Sequence, residues 1–309
     1  MNLNKRSKIF LAGHRGMVGS SILRYLKKKN YKNVITINKN KLDLLNQAKT
    51  EKFIKKIKPD FVIIAAAKVG GILANKNFKA DFIYQNLVIQ TNIIHSSYIA
   101  GVKKLIFLGS SCIYPKKTKQ PIKESFFMTG PLENTNDAYA IAKITGVKMC
   151  MEYSKQYKLN YKTLMPANMF GANDNYDLSS SHFFPALIRK IHNAKIRKKK
   201  FITLWGNGKP KRELLYVEDF ADACVFFMRK KTKESFVNIG SGVEKTIKGF
   251  AQYIMKRLNV NLKIKYDLTK PNGMQRKKLD LSISKKYGWK SKTSLNEAFE
   301  KVYLDYLKN

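Results

Sequence analysis

Short apolar runs alternate with amphipathic stretches from the start of the chain. Lys8–Ala12 reads as a strand, and Met17–Lys29 carries helical spacing. The succession continues with Asn33–Ile37 as strand, Gln47–Ile57 as helix, Asp60–Ala66 as strand and Ala80–Ala100 as helix. Lys104–Leu108 follows as strand, Asp137–Tyr157 as helix and Tyr161–Met165 as strand. The run starting Phe61-Val62-Ile63-Ile64 is apolar throughout, as expected of a parallel strand covered on both faces. Strands separated by whole helices predict an α/β fold, a Rossmann-type doubly wound parallel sheet. After Gly171 the pattern loses its regularity, which predicts a smaller C-terminal substrate-binding lobe facing the carboxyl ends of the strands. The expected division is 1–171 for the nucleotide-binding domain and mainly 172–214 and 241–309 for the substrate lobe. Residues 215–240, with Glu218–Arg229 and Phe236–Ile239, return to the sheet. There is neither an internal repeat nor a flexible linker.

Composition narrows the class. With 44% hydrophobic residues the chain can bury a sizeable core, which excludes wholesale disorder. No apolar run approaches the roughly 18–20 residues needed to cross a bilayer. Lys5, Arg6 and Lys8 before Ile9–Ala12 resemble the start of a signal peptide, but the apolar stretch is short and runs into Gly13, so it reads as a first strand. Three cysteines, an odd number at no metal-ligand spacing, predict neither a disulfide framework nor a metal site and point to the cytoplasm. The formal charge of +39 has two readings, a nucleic-acid binder or a lysine-rich compositional bias. The runs Lys27–Lys29, Lys116–Lys119 and Lys198–Lys200 fall at predicted helix ends and loops, where charge is normally solvated. No nucleic-acid-binding motif accompanies them, so neither a nucleic-acid nor a membrane partner is expected. A basic surface still attracts an anionic nucleotide.

Between the first strand and first helix stands Gly13-His14-Arg15-Gly16-Met17-Val18-Gly19. Three glycines alone can simply make a turn. At the head of a βαβ series they predict a dinucleotide site, because they admit a pyrophosphate close to the backbone at a helix N-terminus. An NAD site usually has a carboxylate after the second strand. Here Thr36–Lys41 offers none before Asp43, whereas Arg15, Lys39 and Lys41 are suited to a 2′-phosphate. The expected cofactor is NADP(H), and Arg15 weighs more than two lysines in a lysine-rich chain.

Tyr139 and Lys143 are four residues apart on one helical face, and Ser110 follows the Lys104–Leu108 strand. A lone pair of this kind is usually an ordinary helix surface. With the glycine loop and the serine it reads as a reductase set, in which Lys143 and an oxidised nicotinamide pull the Tyr139 pKa toward neutrality.

Several segments carry a resemblance: GHRGMVGS, AAAKVGGI, DFIYQN, FLGSSCIYP, YAIAKI, WGNGKPKRE and KKLD. Together they resemble the extended short-chain dehydrogenase/reductases, in detail those that epimerise C3 and C5 and reduce C4 of GDP-4-keto-6-deoxy-D-mannose. The resemblance implies epimerisation by Cys112 and His182 and reduction by Ser110, Tyr139 and Lys143. It implies cofactor contacts from Leu108, Gly109, Ser110, Ser111, Lys143, Pro166, Ala167, Asn168, Met169 and His182. Substrate contacts are implied at Lys190, Trp205 and Arg212, and at Asn272, where the family often has aspartate. A homodimer is also expected, with the apolar Ala80–Ala100 and Asp137–Tyr157 helices able to pair.

The chemistry is coherent on its own terms. In a 4-keto sugar the hydrogens on C3 and C5 are acidic, and loss of either places charge on O4. Hydride addition at C4 charges the same oxygen, so one donor pair, Ser110 and Tyr139, serves all the steps. Epimerisation needs a base and an acid on opposite faces, roles open to Cys112 and His182. Outside this context Cys112 reads as a small buried hydrophobe and His182 as a structural histidine. Trp205 packs on the base or sugar, or anchors the lobe. Arg212 suits a diphosphate, and Lys190 either joins it or lies on a solvated face. His14, His95 and His192 are assigned no chemistry: a loop, a helix interior and a helix surface.

Two rivals predict something else. A 4-epimerase or 4,6-dehydratase holding NAD calls for an acidic residue after the second strand. A dehydratase also usually has an Asp-Glu pair where Ser111-Cys112 stand. A non-catalytic redox sensor or nucleic-acid binder on the same fold would tolerate loss of Tyr139 or Lys143, yet both are intact.

Overall fold

A computed structural model describes residues 3–308. β1 (Ile9–Ala12) is buried at every position and passes through the glycine loop into α1 (Met17–Lys28). β2 is limited to Val34–Ile35, shorter than the periodicity predicts, because it is an edge strand pairing only with Ile9 and Phe10. α2 (Gln47–Ile57) starts on Asn46, whose side chain accepts the Lys49 N–H at 2.9 Å. β3 (Phe61–Ile64) leaves the ladder at Ala65, earlier than expected, and the chain turns there across the end of β1. The short α3 (Ile72–Asn77) precedes α4 (Lys79–Ile99), then β4 (Lys104–Leu108), α5 (Asp137–Tyr157) and β5 (Asn160–Pro166).

β6 (Asn168–Phe170) opens the irregular region, followed by α6 (Phe183–Ile196), β7 (Phe201–Trp205) and β8 (Lys211–Tyr216). α7 (Val217–Arg229) and β9 (Phe236–Ile239) then bring the chain back to the main sheet. The remainder comprises β10 (Glu244–Thr246), α8 (Ile247–Arg257), β11 (Lys263–Asp267), β12 (Arg276–Lys277), α9 (Ser282–Lys286) and α10 (Leu295–Tyr306).

Six parallel strands form the main sheet in the order β2-β1-β3-β4-β5-β9. This is the Rossmann-like, doubly wound α/β arrangement. The chain starts inside the sheet and moves out to β2 before crossing to β3. The winding therefore reverses between β1 and β3, and a crevice opens at the carboxyl ends there. Phe10, Phe61, Ile63, Phe107 and Leu164 lie on these strands with no exposed surface.

A second core gathers Phe170, Phe184, Ile188, Phe250, Ile254 and Phe299 between α6, α8 and α10. Its strands are β8 with β10, β12 and β6, plus the β7–β11 ribbon. β8 thus sits where the two cores meet, with β6 leading directly from β5. Helices α4 and α5, the candidates for pairing between copies, pack on each other within the chain and leave Tyr84 and Ile141 exposed.

Ile63 is fully buried in β3, so Ile63→Ala is expected to cost ~2–5 kcal/mol of unfolding free energy, measured by urea denaturation. A loss below about 1 kcal/mol would contradict its placement in the core.

Candidate active site

The glycine loop is shaped by close backbone contact. Gly13 has φ +86°, and a Cβ there would lie 2.4 Å from the Ala66 backbone nitrogen. Gly16 caps α1 without a side-chain bond, and a Cβ on it would meet nothing nearer than 3.8 Å. The first turn of α1 contains no acidic residue to meet the orphan N–H groups after Gly16, at Met17 and Val18. His14 Nδ1 is buried without a partner. Backbone N–H groups at a helix N-terminus can hold a phosphate. Arg15 stands exposed in this loop, and Lys39 and Lys41 are exposed on the turn after β2. None of the three cations makes an ion pair among the described residues.

The reductase set lies at the end of β4. Gly109 N–H bonds Leu164 O at 2.9 Å, and the Ser110 Oγ accepts the Cys112 N–H at 3.3 Å, capping the short turn Ser111–Ile113. Tyr139 is near the start of α5, and its phenol lies close enough to the Ser110 hydroxyl to feel it electrostatically. One turn later, buried Lys143 donates to Leu108 O at 2.8 Å, with Nζ 4.7 Å from the Phe107 ring centroid and 5.8 Å from that of Tyr139.

Burial, reinforced by the nearby Cys112, pushes the Tyr139 phenol upward rather than toward neutrality, against the opposing influence of Ser110. Burial also lowers the Lys143 pKa to about 8, and its ammonium is engaged by the Leu108 carbonyl. Tyr139 is therefore a neutral proton donor at pH 7, the form a reduction uses.

Cys112 Sγ accepts from Asn136 Nδ2 at 3.1 Å and from Lys277 Nζ at 3.7 Å. The charged groups of Lys143 and Arg212 also act on it. Cys150 and Cys224 are fully buried, and burial pushes both thiols up. His182 caps α6 and is exposed by surface area, although its ring is crowded by protein. Desolvation and then the Lys277 charge hold its imidazole below the ordinary value. The histidine is placed by its own loop: Gly71 N–H bonds Ser180 O at 2.8 Å, and a Cβ on Gly71 would lie 2.4 Å from Ser181 O. That contact explains the paired glycines of the AAAKVGGI segment.

Pro166–Met169 connect β5 to β6 at the same edge, with Ala167 N–H on Ile239 O at 2.9 Å. The substrate candidates sit on the second lobe. Lys190 donates to Thr203 O at 3.0 Å and holds its Nζ 5.5 Å from the Trp205 ring centroid, with Lys270 at 5.8 Å. Arg212 Nη1 donates to Lys211 O at 2.8 Å and Met274 O at 2.7 Å, and its Nη2 donates to Asn272 O at 3.4 Å. Asn272 turns its Oδ1 onto the Asn207 N–H at 2.9 Å and so caps the turn after Trp205. His95 and His192 pair with the hydroxyls of Tyr153 and Tyr303, both at 2.8 Å. His192, expected on a helix surface, is half-buried beside Tyr303 and Tyr306.

Two residues at the centre were missed by sequence reasoning, Asn136 and Lys277. Asn136 stands three positions before Tyr139, and Lys277 heads the KKLD segment. Nothing local marks either as a neighbour of Cys112. Among the described residues no group of three or more His, Cys, Asp or Glu side chains could hold a metal, and no helix is long and apolar enough to cross a membrane.

Comparison with known proteins agrees with this geometry. Residues 9–240 match the NAD dependent epimerase/dehydratase family. The chain is 48% identical to a GDP-L-fucose synthase of Sinorhizobium fredii, covering 100% of this chain and 98% of the relative. It is 42% identical to GDP-L-fucose synthase of Escherichia coli, covering 98% of each. A crystal structure of a GDP-L-fucose synthetase from Naegleria fowleri bound to NADP superposes with a TM-score of 0.90 at 27% identity, covering 100% of this chain and 95% of that one.

Lys143 gives a test of the buried site. With its pKa depressed from 10.5 to about 8, the folded protein binds fewer protons than the unfolded chain between those values. Stability relative to a Lys143→Met variant should therefore rise as pH increases from about 8 to about 10.5, followed by urea denaturation. A difference that is flat or falls across that window would contradict it.

Proposed function

The chain belongs to the NAD dependent epimerase/dehydratase family, and we propose that within it the chain converts GDP-4-keto-6-deoxy-D-mannose to GDP-L-fucose by NADPH-dependent 3,5-epimerisation and 4-reduction. It is thus an oxidoreductase with isomerase activity in nucleotide-sugar biosynthesis. One observation carries the reading: Cys112, with donors on its sulfur, shares a site with the Ser110–Tyr139 pair.

Ser110 and Tyr139 direct hydroxyls at O4, where negative charge develops in every step. Cys112 removes the proton from C3 and then from C5, and His182 returns a proton on the opposite face each time. Asn136 and Lys277 meet the charge that alternates on the sulfur. Bound NADPH supplies the hydride for C4. Tyr139 gives its proton to O4, and the Lys143 ammonium beside it stabilises the phenolate left behind.

The cradle Gly13, His14, Arg15, Gly16, Met17, Val18 and Gly19 would hold the pyrophosphate of NADP(H), and Arg15, Lys39 and Lys41 its 2′-phosphate. Leu108–Ser111, Lys143, Pro166–Met169 and His182 would line the nicotinamide side. Lys190, Trp205, Arg212 and Asn272 are assigned to the nucleotide end of the substrate. On this reading residues 1–171 with 215–240 form the cofactor domain, and 172–214 with 241–309 mainly the substrate lobe. A cytoplasmic homodimer formed through α4 and α5 fits their exposed Tyr84 and Ile141.

Incubation with GDP-4-keto-6-deoxy-D-mannose and NADPH in deuterated water tests this directly. NADPH oxidation with solvent deuterium at both C3 and C5 is expected. Reduction without deuterium would leave a plain reductase, and no NADPH oxidation would sink the proposal. Cys112→Ser should suppress deuterium uptake, and Tyr139→Phe chiefly hydride transfer, each by roughly 10²–10⁴-fold.

The cofactor assignment has its own check. Arg15→Ala should raise the NADPH dissociation constant about tenfold and change that of NADH less than about twofold, read by nicotinamide fluorescence titration. Equal weakening of both cofactors would remove Arg15 from the 2′-phosphate.

A further inference from the structure

Lys277 reaches the Cys112 sulfur from β12, a strand of two residues. So short a ladder does not by itself fix the backbone of a long, flexible lysine, and the flanking segment is held from elsewhere. Gln120 brackets Lys277 on both sides: its Oε1 accepts the Lys278 N–H at 3.0 Å, and its Nε2 donates to Arg276 O at 3.2 Å. Glu213, with no exposed surface, accepts the Leu279 N–H at 2.9 Å on one carboxylate oxygen. Its other oxygen accepts the Gly242 N–H at 2.7 Å. The register sets Lys277 opposite Arg212, the residue before Glu213, so both cations near Cys112 hang on the same pair of strands.

We propose that Gln120 and Glu213 are positioning residues for the epimerisation steps, clamping Arg276–Leu279 so that the Lys277 ammonium stays on Cys112 Sγ. The proposal rests on the epimerase and reductase reading above. The ammonium, 3.7 Å from the sulfur, orients it and faces the charge it carries when it takes a proton from carbon. Ser110, Tyr139 and Lys143 are placed by β4 and α5 and make no hydrogen bond to the clamped segment among the described residues. Loosening the clamp therefore slows proton removal and spares hydride transfer. A general loss of stability would lower both together.

Alkylation of Cys112 by iodoacetamide reads the clamp without any sugar nucleotide, since Cys150 and Cys224 are fully buried. Gln120→Ala and Glu213→Gln should each slow alkylation at pH 7 about tenfold, the size expected when one buried hydrogen bond is lost. Lys277→Met should slow it at least as much, and Gln120→Ala added to Lys277→Met should change nothing more. Deuterium uptake at C3 and C5 should fall in step. In Gln120→Ala and Glu213→Gln, single-turnover oxidation of GDP-L-fucose by NADP+, which needs no epimerisation, should stay within about twofold of the wild-type rate. Wild-type alkylation in Gln120→Ala, additive slowing in the double variant, or equal loss of exchange and hydride transfer would overturn the proposal. If Glu213→Gln does not fold, the half-buried Gln120 carries the test. A wild-type protein inert toward both sugar nucleotides would refute the functional reading, and the alkylation series would still decide the clamp.

Discussion

Lys143 enters the protein interior from α5 and donates to the carbonyl of Leu108 at the last position of β4. An ammonium removed from water needs a partner, and this carbonyl lies at the carboxyl edge of the sheet. The bond therefore sets the rotation and depth of α5 against β4. Tyr139 lies one turn earlier on the same helical face, and Asn136 just outside its start, so both are fixed by the same contact. Ser110 and Cys112 follow Leu108 within a single short turn. Proton donor, donor hydroxyl and thiol are thus carried by two elements locked at one point.

The electrostatics follow from that placement. Burial raises the Tyr139 phenol and lowers the Lys143 ammonium, so the phenol keeps its proton and the ammonium holds its own less tightly. Around Cys112 the second lobe contributes cations, Lys277 in contact and Arg212 nearby. The high positive charge of the chain suits the polyanionic substrate and cofactor proposed for this crevice. β8 is the strand through which the second lobe supplies these groups: Arg212 lies on it, and Lys277 is paired to it.

Much of the main sheet was legible because both of its signals are short-range. Apolar strands and amphipathic helices each repeat within a few residues, and the glycine loop is contiguous. Edges were less legible. Val34–Ile35 is shorter than its alternation suggests because β1 offers a partner for only those residues, and pairing length belongs to both strands. The second lobe resisted reading for the same reason. Its strands are short, β12 having two residues, and their identity comes from a partner distant in sequence.

Sequence by itself determined the winding of the sheet, the phosphate cradle, and the identities of Ser110, Cys112, Tyr139 and Lys143, since each is encoded by neighbours within one strand, turn or helix. Only the tertiary structure decided what surrounds Cys112. Lys277 lies 165 residues away and arrives through a strand that exists only by pairing with β8. It also decided the protonation of Tyr139. Spacing on a helix shows that Lys143 is near, but desolvation depends on everything packed around the phenol, and here it is the largest influence on it.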